Sequence, residues 1–343
     1  MVEGLSPIVA TLTIGTNLAL FHVLRALVSG RLLASRGAII PALAPSGLAP
    51  EAGRHAGAGV AYGARHFTSL LAPWPQLIQH EGRGRAYRLV GYGLVAVDVV
   101  GFFRPRPRRS PTKHFLSQVG KAWPAIRFGV IADIGSVDGQ AVPILRTLVR
   151  APQAAQRGTT FQTAVLAQAG GQLAPDEALV GDRSFYLTRV LAAGVPRFIL
   201  SATKNFTARR AALPAYAGRG RRPTRGERVR PLSRVFRGKP LPATPPDRTE
   251  CWITQGRRLR ADFWDQLVAR NALPTDVLFT YVVLYDPAYC EPLSVVTNLS
   301  LTGPQLHAFY CESWPILSNC LSLPGNSLAS SARSSLPGRP DHA

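Results

Sequence analysis

The sequence predicts an α/β protein whose mixed β-sheet carries helices on its faces. Three apolar segments rich in β-forming residues follow one another at 87–103, 127–135 and 141–149, and the turn-like stretch GSVDG joins the last two. Such a series is typical of antiparallel strands. Downstream, helical and strand-like segments alternate, which is typical of a sheet covered by helices.

Residues 1–85 are predicted to form a helical N-terminal region, for which DNA binding is one candidate role. Apolar residues recur there at helical spacing within 18–33 and 66–79. Residues 4–24 carry no formal charge and are long enough to cross a membrane. Scattered Ser, Thr, Asn, Pro and His residues favour a buried helix instead, and membrane association stays open as the alternative.

The central segment, residues 86–203, is predicted to form the first part of the core. After the three strands, the pattern indicates a helix at 159–171 and a short apolar strand that ends at Asp182. A second helix at 186–194 and a strand at 197–203 follow. This alternation is the basis for placing helices on the faces of the sheet.

The order breaks at residues 204–275, which are predicted to form a β-rich basic insertion. Twelve basic residues stand against one acid between positions 204 and 239. Residues 276–318 then supply two strands and a helix that complete the core. Residues 319–343 are rich in Ser, Pro and Gly without periodicity, and they are predicted to be a disordered tail.

The charge of the chain points to a polyanionic partner. Of 343 residues, 46% are apolar, and forty Lys and Arg against nineteen Asp and Glu give a formal net charge of +21. Nucleic acid is the usual partner of such an excess of positive charge. A solvated Arg-rich surface encoded by a GC-rich genome is the alternative.

The four cysteines, Cys251, Cys290, Cys311 and Cys320, form no C-x-x-C pair. No histidine stands at metal-ligand spacing from them either. This usage argues against a zinc site or a disulfide framework, and it predicts a reducing, cytoplasmic compartment.

Two acids are the candidates for chemistry, because Asp98 and Asp182 each lie on or directly after a strong apolar strand. A carboxylate in such a place is costly unless it is paired, protonated or bound to a metal. If the two strands are neighbours, both carboxylates could hold one Mg²⁺ ion, as two-metal phosphoryl chemistry requires. Spacing alone favours the alternative that each aspartate caps a turn or pairs with an arginine such as Arg183.

Several segments, in order along the chain, resemble the DDE transposases of bacterial insertion sequences. The resemblance covers roughly residues 20–317. The segments are LVAVDVVGFFRPRPRR, then SPTKHF with VIADIG and AVPI, ALVGDRSFY, GRRPTRGERVRPLSRVFRGKPLPATPPD, and DPAYCEPLSVVTNLSLTGPQLHAFY. The first contains Asp98 and the third contains Asp182. Each segment is weakly specific alone, and their order is what makes the resemblance informative.

The resemblance implies a ribonuclease-H-like mixed sheet with flanking helices, a helical N-terminal region and a β-rich basic insertion. It implies Asp98 and Asp182 as catalytic acids and metal ligands, with Mg²⁺ or Mn²⁺ as the cofactor. The implied activity is DNA transposition, by metal-dependent strand cleavage and strand transfer on double-stranded element ends and target DNA. It implies a nucleoid-associated protein in the bacterial cytoplasm, not on a membrane, and leaves a homodimer on DNA open.

Phosphate contacts are expected from basic residues near the two acids and in the insertion, because Arg binds phosphate through two parallel hydrogen bonds. A flexible, solvated arm is the alternative. The candidates are Arg104, Arg106, Arg108, Arg109, Lys113, Lys204, Arg221 and Arg222, with Arg219, Arg225, Arg228 and Arg230 in the same insertion, His114 as a weaker candidate and Tyr310 from the motif below.

The third catalytic acid of the family is missing. Its helix carries Y-x-x-R-W-x-I-E, which Tyr310 and Trp314 match, whereas Ser313 and Leu317 replace the Arg and the Glu. Pro324 stands at the later basic position. Glu312 lies about 140° around a helix from position 317, so it points elsewhere. We therefore expect a catalytically defective transposase-like protein, with a non-catalytic nucleic-acid-binding protein as the alternative.

A reading-frame error offers one explanation of this loss. A permitted codon choice for residues 317–327, read in a shifted frame, restores a glutamate at position 317 and a basic residue seven positions later. The nucleotide sequence of the gene decides whether the C-terminus is truncated or frameshifted. Ser313 precedes the shift and would be a separate substitution.

Overall fold

The computed structural model describes residues 21–23, 25–26, 31, 39–58, 84–103, 112–116, 120–137, 140–151, 158–216, 218–271 and 277–315. The chain divides into two compact units. One comprises residues 1–85 with 145–147, and the other comprises 86–144 with 148–343.

The first unit is helical between residues 39 and 58, and its residues 84–85 and 145–147 belong to strands. It contains α1 (Ile39–Leu43), a 3-10 helix (Ala44–Ser46) and α2 (Pro50–Ala58). Small and apolar side chains bury one another there, among them Leu43 and Ala56. Most of the uncharged stretch 4–24 and all of the segment 66–79 lie outside the described residues.

Strands dominate the rest of the described chain, and the three helices are few by comparison. The strands are β1 (Gly84–Ala86), β2 (Arg88–Leu89), β3 (Tyr92–Phe103), β4 (Lys113–Leu116), β5 (Lys121–Val137), β6 (Gln140–Arg150), β7 (Glu177–Gly181), β8 (Phe198–Ser201), β9 (Ala208–Arg210), β10 (Arg228–Val229), β11 (Arg234–Phe236), β12 (Lys239–Leu241), β13 (Arg248–Thr254), β14 (Arg257–Ala269), β15 (Phe279–Tyr285) and β16 (Leu293–Thr297). The helices are α3 (Gly158–Gln172), α4 (Leu187–Ala192) and α5 (Gly303–Pro315).

One large mixed sheet organises the second unit. Its order runs β5-β3-β7-β8-β16-β15-β14-β9-β10, and β6 pairs with β5. Strands β3 and β5 are antiparallel, whereas β7 is parallel to both β3 and β8. The prediction of an α/β protein with a mixed sheet is therefore confirmed, although strands outweigh helices more than the sequence pattern suggested.

The central strands are buried because their sequences are continuously apolar. Leu94–Val97 of β3 and Ala178–Val180 of β7 are almost completely inaccessible, as expected for parallel strands that are covered on both faces. Helix α3 buries Phe161, Val165, Leu166 and Ala169 against this part of the sheet. These four residues share one helical face.

The basic segment after β8 is β-rich in its described part. Strands β9, β10, β13 and β14 extend the main sheet, and only the hairpin β11–β12 stands apart from it. The indole of Trp264 on β14 contacts the ring of Tyr281 on β15, with ring centroids 6.0 Å apart. Both side chains belong to the same buried cluster as Leu179 and Phe198, so this segment shares the core of the sheet.

The close contact between β5 and α3 generates a stability prediction. A Cβ atom at Gly129 would lie 2.2 Å from Cγ2 of Val165. We expect Gly129→Ala to lower the free energy of unfolding by about 1–3 kcal/mol, because the helix must move away from the strand. Chemical denaturation of the variant measures this change.

Two further variants identify the cause. In Gly129→Ala combined with Val165→Ala, the added methyl group fits the space that valine leaves, so the two effects should be less than additive. At Gly171, near the end of α3, an added Cβ meets no atom within 4 Å, and Gly171→Ala should not destabilise the protein. Equal losses of stability at positions 129 and 171 would contradict the packing argument.

Candidate metal and nucleic-acid site

The register of β3 and β7 brings Asp98 and Asp182 together. The parallel pairing runs from Gly93 opposite Glu177 to Val97 opposite Gly181, and each aspartate is the next residue of its strand. Neighbouring strands lie about 5 Å apart. Two acids that are separated by more than eighty positions in the sequence are therefore neighbours, with Asp98 inside β3 and Asp182 directly after the end of β7.

Asp98 is half-buried, and its carboxyl group holds its proton far more tightly than an exposed aspartate does. Burial raises the pKa of Asp98 to about 7, and the negative charge of Asp182 contributes in the same direction. The amide of Val99 donates a 2.7 Å hydrogen bond to Oδ1 of Asp98 and partly opposes this rise. Near neutral pH the position favours either a proton or a bound cation.

Asp182 is held in place by the turn that follows β7. Its Oδ1 accepts hydrogen bonds from the amide of Ser184 at 2.9 Å and from the hydroxyl of Ser184 at 2.6 Å. This local pattern is the one by which Asp residues commonly stabilise turns. The turn-capping role that the sequence left open is therefore present. A carboxylate has about four acceptor positions, so the turn leaves capacity for a further ligand.

The two carboxylates would suit part of a divalent-cation site. They are hard oxygen donors, they lie side by side, and the desolvated pair carries an excess of negative charge. Within the described ranges, no group of three or more His, Cys, Asp and Glu side chains is arranged to hold a metal ion. Asp98 and Asp182 would supply two oxygen ligands to such an ion, and a third protein ligand is not found among the described residues.

Helix α5 carries Tyr310, the first residue of the segment that resembles Y-x-x-R-W-x-I-E. Thr302 and Gln305 cap its start, since the Thr302 amide donates to Oε1 of Gln305 and the Gln305 amide donates to Oγ1 of Thr302. The ring of Tyr310 is half-buried, 6.2 Å from the ring of Tyr289. Burial raises the pKa of Tyr310, and Tyr289 adds to this effect. The side chains of residues 312–315, and all of Leu317 and Pro324, lie outside the described residues.

The basic candidates around the acids have different surroundings. Arg104, Arg106, Arg108 and Arg109 lie outside the described residues. Lys113 is exposed on β4. His114 packs beside Gly101, and burial lowers its pKa, with a contribution from the charge of Arg127.

Lys204 already has an acidic partner. Its Nζ donates a 2.6 Å hydrogen bond to Oε1 of Glu291, and both side chains are exposed. This bond lowers the pKa of Glu291, and Arg183 contributes to the same shift. Arg183 directly follows Asp182, so positive charge lies beside the aspartate pair.

The arginine loop, residues 218–228, displays positive charges that have no acidic partner among the residues that the structure describes. Tyr216 organises its start, because its hydroxyl donates a 3.1 Å hydrogen bond to the carbonyl of Gly220 and the guanidinium of Arg222 lies 5.4 Å from the centre of its ring. Gly218 and Gly220 adopt the positive φ angles that this tight path requires. The exposed arginines of the loop are Arg219, Arg221, Arg222, Arg225 and Arg228.

A pair of arginines on neighbouring strands continues this surface. Arg228 of β10 stands directly opposite Arg209 of β9 in the antiparallel register. The guanidinium of Arg209 donates to the carbonyl of Gly226 at 2.8 Å and to that of Arg270 at 3.0 Å. Carbonyl groups fix its position without neutralising its charge. Sequence reasoning missed Arg209, because only the strand pairing reveals its partner.

Comparison with known proteins adds no relative. The chain matches no protein-family model, and no curated protein is significantly similar to it in sequence. The resemblance to DDE transposases therefore depends on the quoted segments alone. Among the helices of the described residues, none combines the length and the apolar character needed to cross a membrane.

The raised pKa of Asp98 generates a prediction about stability. As the pH rises, Asp98 loses its proton in the unfolded state, where its pKa is an ordinary 3.8, before it does so in the folded state. The contribution of Asp98 to folding is therefore fully present below about pH 4 and is lost as the pH rises towards about 7. Asp98→Asn cannot ionise and keeps an oxygen for the Val99 amide. We expect its melting temperature to exceed that of the natural protein by several degrees at about pH 8, with little difference at about pH 4.

Asp176→Asn is the matched control. Asp176 precedes β7, and its hydrogen bond from Arg88 lowers its pKa. A lowered pKa gives stability that is present at neutral pH and disappears in acid. This variant should therefore show a small melting difference of the opposite sign. A pH-independent difference between Asp98→Asn and the natural protein would contradict the assigned electrostatics.

Proposed function

We propose that the chain is a transposase-like DNA-binding protein of the DDE type that has lost efficient catalysis. The observation that carries the proposal is the parallel register of β3 and β7, which makes Asp98 and Asp182 neighbours. A pair of carboxylates contributed by adjacent strands is what metal-dependent phosphoryl transfer requires.

The order of the elements also supports this proposal. Strand β5 lies antiparallel to β3, and β6 pairs with β5 on its other side. Helix α3 then leads to β7, which is parallel to β3. A mixed sheet of this order, with helices between its later strands, is consistent with a ribonuclease-H-like core.

The chemistry assigned to the two aspartates is the binding of Mg²⁺ or Mn²⁺. A bound divalent ion would neutralise charge on a phosphodiester and activate a water molecule or a 3′-hydroxyl group. Ser184 would hold the Asp182 carboxylate in a fixed orientation through its two hydrogen bonds. The half-buried position of Asp98 would limit the access of water to its carboxylate.

The defect is assigned to the helix that begins at Gly303. Position 317 is a leucine, whose side chain offers no oxygen to a metal. Loss of one ligand from such a site lowers the rate strongly. The second candidate function, a non-catalytic nucleic-acid-binding protein, is favoured by the positive charges of the arginine loop. Both functions share double-stranded DNA as the partner, a nucleoid-associated cytoplasmic location and, as an open option, a homodimer on DNA.

Metal binding can be measured without any catalytic activity. At about pH 8, where the Asp98 carboxyl is ionised, millimolar Mg²⁺ should raise the melting temperature of the natural protein by several degrees, because an ion bound only to the folded state stabilises it. Asp98→Asn and Asp182→Asn should each abolish most of this rise. Asp176→Asn should retain it, and an equal rise in all four proteins would exclude the aspartate pair as the binding site.

DNA binding and cleavage can be separated in a second experiment. We expect binding to double-stranded DNA whose affinity falls steeply with salt, and Asp98→Ala should leave the dissociation constant unchanged. Replacing Arg219, Arg221, Arg222 and Arg225 by Gln should reduce the slope of log affinity against log salt by about 0.9 for each phosphate that the variant no longer neutralises. Gel shifts over a salt series measure both quantities.

Cleavage is followed on the same DNA with Mg²⁺ or Mn²⁺. The natural protein should not nick it above the background given by Asp98→Ala. Metal-dependent nicking that requires Asp98 would show that the chain remains a functional nuclease. An absence of any salt-sensitive binding would remove both candidate functions.

A further inference from the structure

A small apolar pocket lies beside the carboxyl ends of β7 and β8. Leu200 of β8 stands in register with Gly181, the residue before Asp182. Its side chain forms part of the pocket lining together with Phe185, Phe206 and Val296. The pocket also includes Arg183, the residue after Asp182. The Leu200 side chain shares a face of the sheet with Gly181 and Val97, which is the face opposite to the Asp98 side chain.

The floor of the pocket is rigid and aromatic. The ring of Phe206 stacks on that of buried Tyr281, with centroids 4.8 Å apart, and meets Phe279 edge to face. Phe185 is 1% exposed. These contacts hold the rings in fixed positions, so the pocket does not need to form around its ligand.

The rim of the pocket is cationic and hydroxylated. Arg183 and Arg270 lie on the rim and are exposed, and in the described part of the chain neither has an acidic partner within 4.0 Å. Hydroxyl groups of Ser201 and Thr203 also line the pocket. The carbonyl of Arg270 accepts a 3.0 Å hydrogen bond from Arg209, so the rim is continuous with the paired arginines of β9 and β10.

The size of the pocket restricts its ligand. Its volume is about 140 Å³, and a cavity of about 150 Å³ accommodates benzene. One six-membered ring therefore matches the volume of the pocket. Apolar walls suit the faces of the ring, hydroxyl groups suit a polar ring edge, and the two arginines suit phosphate groups beside it.

We propose that this pocket binds a single pyrimidine nucleotide, with the base against Phe206 and Leu200 and its phosphates at Arg183 and Arg270. This inference rests on the proposed function for the source of the nucleotide, which is a DNA strand. A free mononucleotide has the same chemistry, and the experiment below distinguishes the two sources.

The test compares two fluorescently labelled single strands that carry the same phosphates. One is an all-thymine oligonucleotide, and the other has abasic residues in its central part. The natural protein should bind the thymine strand about tenfold more tightly, since stacking one base contributes a factor of this order. Fluorescence anisotropy measures both affinities, and the melting temperature with and without thymidine monophosphate tests the free nucleotide.

Filling the pocket should remove this preference without removing the binding of phosphates. Ala202 lines the pocket, and Ala202→Phe places a ring in it. We expect this variant to bind both strands as the natural protein binds the abasic strand. Thr188→Phe, at an exposed position of the pocket lining, is a second variant. It should also remove the preference for the thymine strand, and it should not destabilise the protein. Ala164→Phe, on the exposed face of α3, is the matched control and should keep the preference.

The outcomes separate this inference from the proposed function. If the preference for bases is absent, or survives in both pocket variants, and the monophosphate has no effect, the pocket does not bind a nucleotide. If only the monophosphate raises the melting temperature, and does so in the natural protein but not in the variants, the pocket binds a free nucleotide and the strand is excluded. If no single strand binds at all, a DNA strand is excluded as the source of the nucleotide, and the monophosphate experiment alone decides the role of the pocket. The proposed binding of double-stranded DNA is decided separately by the gel shifts.

Discussion

The parallel pairing of β3 with β7 is the interaction on which the rest of the site depends. Both strands are continuously apolar and buried, so the hydrophobic effect drives them into the centre of the sheet. Asp98 lies inside β3 and Asp182 directly follows β7, and the register makes these residues neighbours. A slip of one residue would turn one carboxylate to the opposite face of the sheet and separate the pair. The packing that stabilises the fold therefore also determines the position of the two acids.

Accumulated negative charge and accumulated positive charge occur in different parts of this molecule. Inside β3 and directly after β7, two acids stand together in a partly desolvated place, and the raised pKa of Asp98 reflects their burial and their mutual repulsion. In the arginine loop and on β10, guanidinium groups accumulate at the surface of a chain with a net charge of +21. A divalent cation would compensate the first arrangement and a phosphate backbone the second. Contact with nucleic acid through a bound metal ion would compensate the charge of the aspartate pair and that of the arginines together. We therefore favour this function over a role for either group of charges alone.

Much of the core could be predicted from the sequence, because its strands and helices have strong local periodicity. Asp98 and Asp182 could be singled out because an acid at the end of a buried strand is conspicuous. The contacts between distant segments could not be predicted. Lys204 and Glu291 are 87 positions apart, and their ion pair depends on the pairing of β8 with β16. Trp264 enters the core only because β14 joins the main sheet, whereas the basic composition around it suggested a separate insertion.

The opposed arginines of β9 and β10 link the stability of this strand pair to the binding of an anion. Like charges in facing positions weaken a strand pair, and the carbonyl groups that hold Arg209 leave the repulsion in place. An anion lying across Arg209 and Arg228 would relieve it only when the two strands are formed, since the charges separate in the unfolded chain. Such a ligand would stabilise the pairing of β9 with β10, and its release would restore the repulsion between the two arginines.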